Sequence, residues 1–355
     1  MDKLLLKAQK HLDEKLPFVL YAKPGSTQLK AVFQKDDQLY KTDDFSEAGF
    51  AFVSFDNEKK CIIPTEHAEV VTAQLAFEKA APESTSFLTK DGGDDFKNRV
   101  SKGINSINKG DFKKVVLSRK EVVDLDGFDL SDVFRKLLQA YPNAFRYCWF
   151  HPKTGLWMGA TPEQLLKVSQ YDFQTVALAG TQPFATDTTV VWSEKEKEEQ
   201  QFVTDYIAAS FEKLDIPLAI SRPYSFQAGN LIHIKTDITG SLTGFDLATV
   251  LAVLHPTPAV CGFPKVPAKA FIIKNEGYDR EYYSGFLGEL NMNISNGNKQ
   301  SDLFVNLRCM KIEENQARIY VGCGITAASD PEMEFIETVN KSMTMKKVLQ
   351  LNNNK

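Results

Sequence analysis

Short apolar runs separated by polar turns make up most of the first 90 residues. Pro17 to Ala22, Phe50 to Phe55 and Cys61 to Pro64 have the length and spacing of strands. The segment before them, residues 1–16, spaces its leucines as an amphipathic helix does. Its charges interrupt the apolar run too early for a signal peptide. The pattern also predicts a helix at about 66–78.

After residue 80 a polar stretch at 81–96, rich in Ser, Thr, Gly and Asp, predicts a loop or linker. Apolar residues at helical spacing then predict a helix from about Asp95 to Lys109, capped by Asp94 and ended by Gly110. Further strands are predicted at 113–125, 146–150, 156–159, 165–168, 173–178, 231–238, 301–310 and 317–322, with helices at 131–140, after Ser193 and after Pro331. Strands and helices mixed without regular βαβ spacing indicate a large α+β domain.

Composition excludes some classes of protein. The net charge of −4 gives no reason to expect nucleic acid as a partner, and no segment has the roughly 20 apolar residues that span a membrane. The five cysteines are scattered and form no CxxC motif, so neither a zinc site nor a disulfide framework is indicated. We expect buried, free thiols in a reducing compartment, and therefore a cytoplasmic protein.

Two helical segments each carry a pair of glutamates three residues apart: Glu196 with Glu199, and Glu334 with Glu337. Side chains at this spacing lie on one face of a helix, so each pair can point at one site. Ser193 and Glu196 form a capping-box signature, which places the first pair in the opening turns of its helix. Four carboxylates converging from two helices would suit Mg²⁺ better than Zn²⁺ or Cu²⁺. Two solvated charged faces would give the same spacing, and both interpretations stay open here.

Lys114 and Glu163 are candidates for acid–base chemistry. Lys114 opens the apolar run Val115-Val116-Leu117, where its ammonium group either extends to the surface or is desolvated and becomes a general base. Glu163, in ATPEQLL, is either a turn residue or, across a cleft from a base, the matching general acid.

Three further positions are candidates for binding an anion. Arg308 lies among apolar residues and needs a counter-anion, supplied either by a protein carboxylate or by a ligand. Gly322 and Gly324 flank Cys323 and permit close approach of backbone amides to an anion, although a tight turn would also explain them. His255 lies in a loop rich in Pro and Gly, where a structural hydrogen bond and a substrate contact are equally compatible with the sequence.

A series of short segments follows between about residues 96 and 347. They are KVVLSR (114–119), GATPEQLL (159–166), LAGT (178–181), SEKEKEEQQFV (193–203), HPTPAVCGFP (255–264), YDREYYSGFLG (278–288), LRCM (307–310) and VGCGITAASDPEMEFIET (321–338). In content and order they resemble the chorismate-utilising enzymes, the family of isochorismate, salicylate, anthranilate and aminodeoxychorismate synthases.

The resemblance implies a single domain of the α+β class, in which two large antiparallel sheets pack face to face with helices outside. Residues 1–90 match the family loosely and would form the N-terminal part of this domain, and residues 91–355 would form the chorismate-binding catalytic core. Chorismate would bind in a cleft with Mg²⁺ on its ring carboxylate. Glu199 and Glu337 would be direct ligands, with Glu196 and Glu334 acting through water. The family often has Asp in place of Glu196, whose longer side chain alters the reach to the metal.

The resemblance also implies roles in binding and catalysis. Lys114 matches the base that activates water, and Glu163 would be the acid. Arg308 and the amides around Gly322 to Gly324 match positions that hold the enolpyruvyl carboxylate. The remaining positions expected to contact substrate are Gly180, Thr181, His255 and Lys341.

Two positions discriminate within the family. Anthranilate synthases tend to carry Gln in place of Lys114 and use ammonia, so no glutaminase subunit is expected here. Ala179 stands where aminodeoxychorismate synthases place a nucleophilic lysine. We therefore expect an isochorismate synthase, with a salicylate synthase and a non-catalytic chorismate-binding protein as alternatives. The sequence leaves open the oligomeric state and whether the product supplies menaquinone or siderophore biosynthesis.

Overall fold

The computed structural model of the chain describes residues 1–75, 93–183, 190–228, 231–293 and 298–349. Within these ranges the side chains of residues 181, 183, 195, 228 and 231 are not described. Most of the predicted linker at 81–96 lies outside the described residues.

Helices and strands are numbered in chain order. The helices are α1 Asp2–Asp13, α2 Gly93–Asn108, α3 Leu130–Ala140, α4 Glu194–Glu212, α5 Leu247–Leu254, α6 Lys265–Asn275 and α7 Pro331–Leu349. The strands are β1 Phe18–Ala22, β2 Gln28–Gln34, β3 Tyr40–Lys41, β4 Gly49–Val53, β5 Lys60–Pro64, β6 Ala68–Gln74, β7 Lys114–Asp124, β8 Phe145–His151, β9 Gly155–Thr161, β10 Gln164–Ser169, β11 Asp172–Pro183, β12 Leu218–Ile220, β13 Tyr224–Ala228, β14 Leu231–Ser241, β15 Gly262–Phe263, β16 Phe286–Asn293, β17 Lys299–Val305, β18 Cys309–Glu313 and β19 Gln316–Ile325.

The strands form two large sheets. The first has the order β15-β7-β19-β18-β9-β8-β1-β2-β6, and the second has the order β12-β14-β11-β10-β17-β16-β4-β5-β3, with β13 also pairing with β14. Strand pairing within the described residues is antiparallel throughout. The architecture of two antiparallel sheets is therefore confirmed, and strands from residues 18–74 belong to both of them.

Aromatic side chains fill the space between the sheets. Phe52 of β4 contacts Tyr147, Trp149 and Trp157 of the other sheet. Helices cover the outer faces: α1, α3 and α7 pack on the first sheet, α4 and α5 on the second, and α2 and α6 against the end of the first sheet formed by β7 and β19. The helix faces follow from sequence periodicity, as in α3, whose buried residues are Leu130, Val133, Phe134, Leu137 and Leu138.

The helix predicted at 66–78 is wrong. Thr65–His67 form one 3₁₀ turn, and β6 follows as an edge strand paired with β2. Val70, Val71 and Thr72 are β-branched and favour an extended backbone, which is stabilised here by pairing with a distant strand.

The single strand predicted at 301–310 is also wrong. Val305 ends β17 in the second sheet, and Cys309 begins β18 in the first sheet. The chain therefore crosses from one sheet to the other at residues 306–308, and Arg308 has a left-handed backbone with φ of +47°. This crossing places Arg308 between the two layers instead of inside a strand.

All five cysteines are buried and free, as their scattered spacing predicted. Burial raises the pKa of the Cys148 thiol, because an apolar environment disfavours the thiolate. In the described ranges, no helix combines the length and the apolar character that crossing a membrane requires.

Candidate active site

Lys114 is the first residue of β7, and its side chain lies against Gly324 of the neighbouring strand β19. Desolvation lowers the pKa of its ammonium group, because burial disfavours the charged form. Within the described part of the chain, the Lys114 Nζ atom makes no hydrogen bond or ion pair. The charged groups that act on it over longer range are Glu199, Glu163 and Glu337, which raise its pKa, and Lys341, which lowers it.

The backbone of Gly322 and Gly324 faces away from β7. These glycines lie opposite Ser118 and Val116. The Val116 amide donates to a carbonyl oxygen of the loop after α5, and the Ser118 amide donates to the Glu276 carboxylate. Since backbone groups of an antiparallel strand alternate in direction, the two glycines do not exchange hydrogen bonds with β7. Their amides therefore point to the other side of β19, away from β7.

On that side of β19 the next strand, β18, begins only at Cys309, opposite Tyr320. The glycine backbone therefore lies beside the segment that carries Arg308. A side chain on Gly322 has no room, because its Cβ would lie 2.7 Å from the Leu117 carbonyl oxygen and 2.9 Å from the Tyr283 hydroxyl. The close approach of these glycines to an anion stays a prediction.

Arg308 lines a cavity of about 90 Å³ together with Gly322, Gly324 and Lys341. Burial lowers the pKa of its guanidinium group, against the opposing influence of Tyr283, Glu337 and Tyr141. No carboxylate among the described residues lies within ion-pair distance of Arg308. Of the two counter-anions that the sequence left open, a ligand therefore fits better than a protein carboxylate.

Lys341 links α7 to the glycine segment. Its Nζ donates to the Gly322 carbonyl oxygen at 2.9 Å and forms an ion pair with Glu337 at 2.6 Å. Since Glu337 balances part of the Lys341 charge, Arg308 is the main source of positive charge in the wall of this cavity. Such a wall would bind an anionic substrate.

Glu163 lies in the turn between β9 and β10, beside a smaller cavity. Ala259 lines both this cavity and the one at Arg308, so the two cavities adjoin. Burial raises the pKa of the Glu163 carboxyl to about 7, and the positive charge of Lys114 opposes this rise. Glu163 can therefore carry a proton near neutral pH, and the lowered pKa of Lys114 favours its neutral form, which are the directions that an acid and a base require.

Glu196 stabilises the start of α4. Its Oε2 accepts hydrogen bonds from the Ser193 amide and hydroxyl, at 2.8 and 2.9 Å, while the Ser193 hydroxyl accepts from the Glu196 amide. The predicted capping box is thus confirmed. Gln182 Nε2 also donates to both carboxylate oxygens of Glu196 at 2.9 Å.

The other glutamates occupy the opening turns of α4 and α7. Glu334 accepts a hydrogen bond from Ser329 at 2.7 Å, and Glu337 pairs with Lys341. Among the described residues, no group of three Asp, Glu, His or Cys side chains is arranged to hold a metal ion. The donor chemistry nevertheless fits Mg²⁺, because Glu199 and Glu337 approach Lys114 from two different helices and offer oxygen atoms alone. The metal site stays a prediction.

Gly180, Thr181 and His255 are the remaining positions expected to contact substrate. Gly180 has φ of +69° at a bulge in β11, and a Cβ there would lie 3.4 Å from the Cβ of Glu196. Thr181 follows in the same strand, and its side chain lies outside the described structure. His255 is buried and donates from Nε2 to the Ser54 carbonyl oxygen at 3.2 Å, which is the structural hydrogen bond that the sequence left open. Its contact with substrate stays a prediction.

His233 is a neighbour of Arg308 that the sequence analysis did not single out. It lies in β14 opposite Thr181, and its pKa is lowered by burial and by the positive charge of Arg308, while a hydrogen bond to the Gly180 backbone raises it. The histidine shows no motif of its own. Its place in the site follows from the pairing of β11 with β14, two strands distant in the sequence.

Comparisons with known proteins place the chain in a family. Residues 52–350 match the family described as "Chorismate binding enzyme". The isochorismate synthase EntC of Escherichia coli K12 is 32% identical over 249 residues, covering 67% of this chain and 62% of that protein. DhbC, the isochorismate synthase of Bacillus subtilis strain 168, is 31% identical over 279 residues, covering 71% of this chain and 67% of that protein.

The solved structure of MenF, described as the menaquinone-specific isochorismate synthase from Escherichia coli, has the same fold. It aligns with a TM-score of 0.79 at 21% identity, covering 94% of this chain and 89% of MenF. The match to the family model spans most of the chain and includes Lys114, Glu163, Arg308 and both glutamate pairs. This protein therefore belongs to the chorismate-binding enzyme family.

Proposed function

We propose that this protein is an isochorismate synthase, an isomerase that converts chorismate to isochorismate. One observation carries the proposal: the charges of Lys114 and Glu163 act on each other, and Glu163 lines a small cavity that adjoins the one lined by Arg308, whose guanidinium group forms no ion pair with the described residues. A base, an acid and an anion-binding group are then present around one bound ligand.

Substrate binding uses the cationic wall. Arg308 binds the enolpyruvyl carboxylate, and the backbone amides of Gly322 and Gly324 donate to the same anion. Lys341 adds positive charge beside it. A cavity of about 90 Å³ is smaller than the roughly 300 Å³ at the lower end of typical ligand pockets, so the substrate ring also requires the adjoining cavity at Glu163 and some widening of the cleft.

In the reaction, neutral Lys114 takes a proton from water as the oxygen attacks C2 of chorismate. The electron pairs of the conjugated diene shift, and the bond from C4 to its hydroxyl breaks. Glu163 gives its proton to the departing hydroxyl, which leaves as water. One water molecule enters and one leaves, so the reaction is an isomerisation, and a later exchange of protons returns both side chains to their starting states.

Glu199 and Glu337 would bind Mg²⁺ directly, and Glu196 and Glu334 would act through water. The bound ion would supply positive charge to the ring carboxylate of chorismate. Glu196 suits the more distant role, because the capping box and Gln182 already hold its carboxylate. Glu337 would have to exchange its ion pair with Lys341 for a contact with the metal.

A lysine at position 114 favours water over ammonia as the nucleophile, and the proposal therefore includes no glutaminase partner. It also includes a cytoplasmic location, in keeping with five free thiols. Salicylate synthase is the second candidate function, since it would use the same base and acid before eliminating pyruvate. The genes that neighbour this one would show whether the product supplies menaquinone or siderophore biosynthesis.

The test is to incubate the purified protein with chorismate and Mg²⁺ and to separate the products by chromatography. Isochorismate as the sole product is the expected result. Salicylate and pyruvate would instead support salicylate synthase, and unchanged chorismate with measurable binding would support a non-catalytic binding protein. Lys113→Ala is the matched control for Lys114→Ala, because Lys113 is the preceding residue and its side chain is exposed.

A further inference from the structure

Ser284 carries a hydroxyl group that the proposed mechanism does not use. The residue is only 1% exposed, and its Oγ makes no hydrogen bond of full geometry with any described residue. Leaving a buried hydroxyl without a partner is unfavourable, and native proteins rarely do so without a functional reason. Ser284 also lines the cavity that contains Arg308.

The backbone of Ser284 is unusual as well. Its φ of +61° is in the left-handed region that side chains other than Asn and Asp seldom adopt. Asn306 holds this turn in place: its carbonyl oxygen accepts from the Ser284 amide, its amide donates to the Gly285 carbonyl, and its side chain donates to the Tyr282 carbonyl. Backbone strain that surrounding bonds maintain in this way is concentrated at functional sites.

Asn306 also begins the crossing that ends at Arg308, which has the same left-handed conformation. Two strained residues are therefore joined through one buried asparagine, and both border the same cavity. Burial is the main cause that raises the pKa of Tyr283, and hydrogen bonding by Ser284 lowers it, so the two hydroxyls lie close together. Their contact falls short of full hydrogen-bond geometry, and a carboxylate in the cavity would be a stronger acceptor for the Ser284 hydrogen than the Tyr283 oxygen.

We propose that Ser284 Oγ donates a hydrogen bond to the same substrate carboxylate that Arg308 binds. The inference rests on the proposed function for the identity of the substrate. A donor is the role that fits, because Arg308 and Lys341 already make this wall cationic and select an anion. Ser284 would then fix the orientation of the carboxylate, while Arg308 supplies most of the charge.

The test uses Ser284→Gly, because glycine adopts positive φ without strain and lacks only the hydroxymethyl group. Chorismate binding is measured by titration calorimetry with Mg²⁺ in a Lys114→Ala background, which prevents turnover. We expect Kd to rise roughly 10- to 100-fold, as for loss of a hydrogen bond to a charged group. In the otherwise unchanged enzyme, KM should rise by a similar factor while kcat stays within about threefold, since the bond exists in ground and transition states.

Two controls separate binding from folding. Asn57→Gly relieves a positive φ of +70° in the turn after β4, outside the cavity, and should leave Kd unchanged. In an Arg308→Ala background the effect of Ser284→Gly should fall below about twofold, because the carboxylate is no longer held in place. If Ser284→Gly does not fold by circular dichroism, Ser284→Ala provides the same measurement.

An unchanged Kd in Ser284→Gly would overturn the inference, as would an equal loss in the presence and absence of Arg308. If the unmodified protein binds chorismate without converting it, the proposed function is wrong. The Kd values of the unmodified protein and of Ser284→Gly still decide the role of Ser284 in that case. If the unmodified protein does not bind chorismate, both proposals are wrong.

Discussion

A Cβ atom on Gly324 would lie 2.9 Å from Cε of Lys114 and 3.5 Å from its Nζ. The lysine side chain therefore occupies the space that any other residue at position 324 would fill. Gly324 has an ordinary backbone conformation, so the glycine is required by this contact and not by its φ angle. One strand thus determines where the proposed base on the neighbouring strand is held.

Gly324→Ala should displace Lys114 and reduce kcat roughly 100-fold, since a shift of about 1 Å in a catalytic group can cost this much. The protein should still fold, because the end of a lysine side chain can move. Gly103→Ala, in α2, is the control: its Cβ would meet the side chains of Leu117 and Val115 at 3.4 Å, an ordinary contact, and kcat should not change. Equal activity in both variants would contradict the role of Gly324.

Removing either proton-transfer group should reduce the rate by about 10² to 10⁴ while leaving the fold intact. Lys114→Ala removes the base, and Glu163→Gln keeps the shape of the acid without its proton. Kinetics with chorismate and circular dichroism provide the measurements, with Lys113→Ala and the exposed Glu212→Gln as controls. Turnover close to that of the unmodified protein in either variant would show that the residue has been given the wrong role.

The pH dependence should contain a limb near pH 7, the pKa of Glu163. Glu163 must hold its proton, so its active fraction falls as pH rises through about 7. Lys114 must be neutral, so its active fraction rises with pH, and its lowered pKa brings this rise below the usual lysine range. The rate follows the product of these two fractions. The plot of kcat/KM against pH should therefore bend near pH 7, whether the pKa of Lys114 lies above or below that of Glu163.

Glu163→Gln should abolish the limb near pH 7 and leave only the rise that belongs to Lys114. A profile measured over pH 5 to 10 tests this expectation. Persistence of the limb in the variant would assign it to another group.

Arg308→Ala should lower kcat/KM at least about 30-fold, because truncating one partner of a desolvated charge pair typically costs about 2 kcal/mol or more. Arg308→Lys should also be impaired, since an ammonium group cannot replace the forked guanidinium group. The control is Arg318→Ala, which removes a partly exposed ion pair with Glu313 and should have little effect. Loss of activity in Arg318→Ala comparable to that in Arg308→Ala would argue against a specific anion site.

Chelation by EDTA should abolish activity, and added Mg²⁺ should restore it. Glu199→Gln and Glu337→Gln should each raise the Mg²⁺ concentration needed for half-maximal activity by about 10- to 100-fold, because a neutral amide is a weaker ligand than a carboxylate. Glu198→Gln is the control, as its side chain is exposed on the same helix. Full activity in EDTA would exclude the proposed metal site.

Local signals predicted the ends of several elements correctly. The capping box at Ser193 and Glu196 is present as expected, and Gly110 ends α2 with φ of +87°. These features depend on a few neighbouring residues, whose hydrogen bonds are specified by residue type and spacing alone. The edge strand β6 was missed because its pairing partner, β2, lies outside any local window.

The position of Arg308 could not be predicted in the same way. A run of apolar residues resembles one strand, and only the presence of two sheets explains why the chain breaks at 306–308. The same holds for His233, which carries no motif and reaches this region through distant strand pairing. Ser284 belongs to the segment YDREYYSGFLG, but only the turn held by Asn306 shows that it borders the cavity.

By itself the sequence determined the fold class, the start of α4 and the identity of Lys114, Glu163, Arg308 and the glutamates as candidates, because residue type and order carry that information. The cap predicted at Asp94 was wrong, since α2 begins at Gly93. The tertiary structure alone decided which charges lack a partner and which backbone groups face the cavity. Both depend on desolvation and on strand direction, which arise only when distant segments pack together. The unpaired guanidinium group of Arg308 and the buried hydroxyl of Ser284 are the clearest results of that packing.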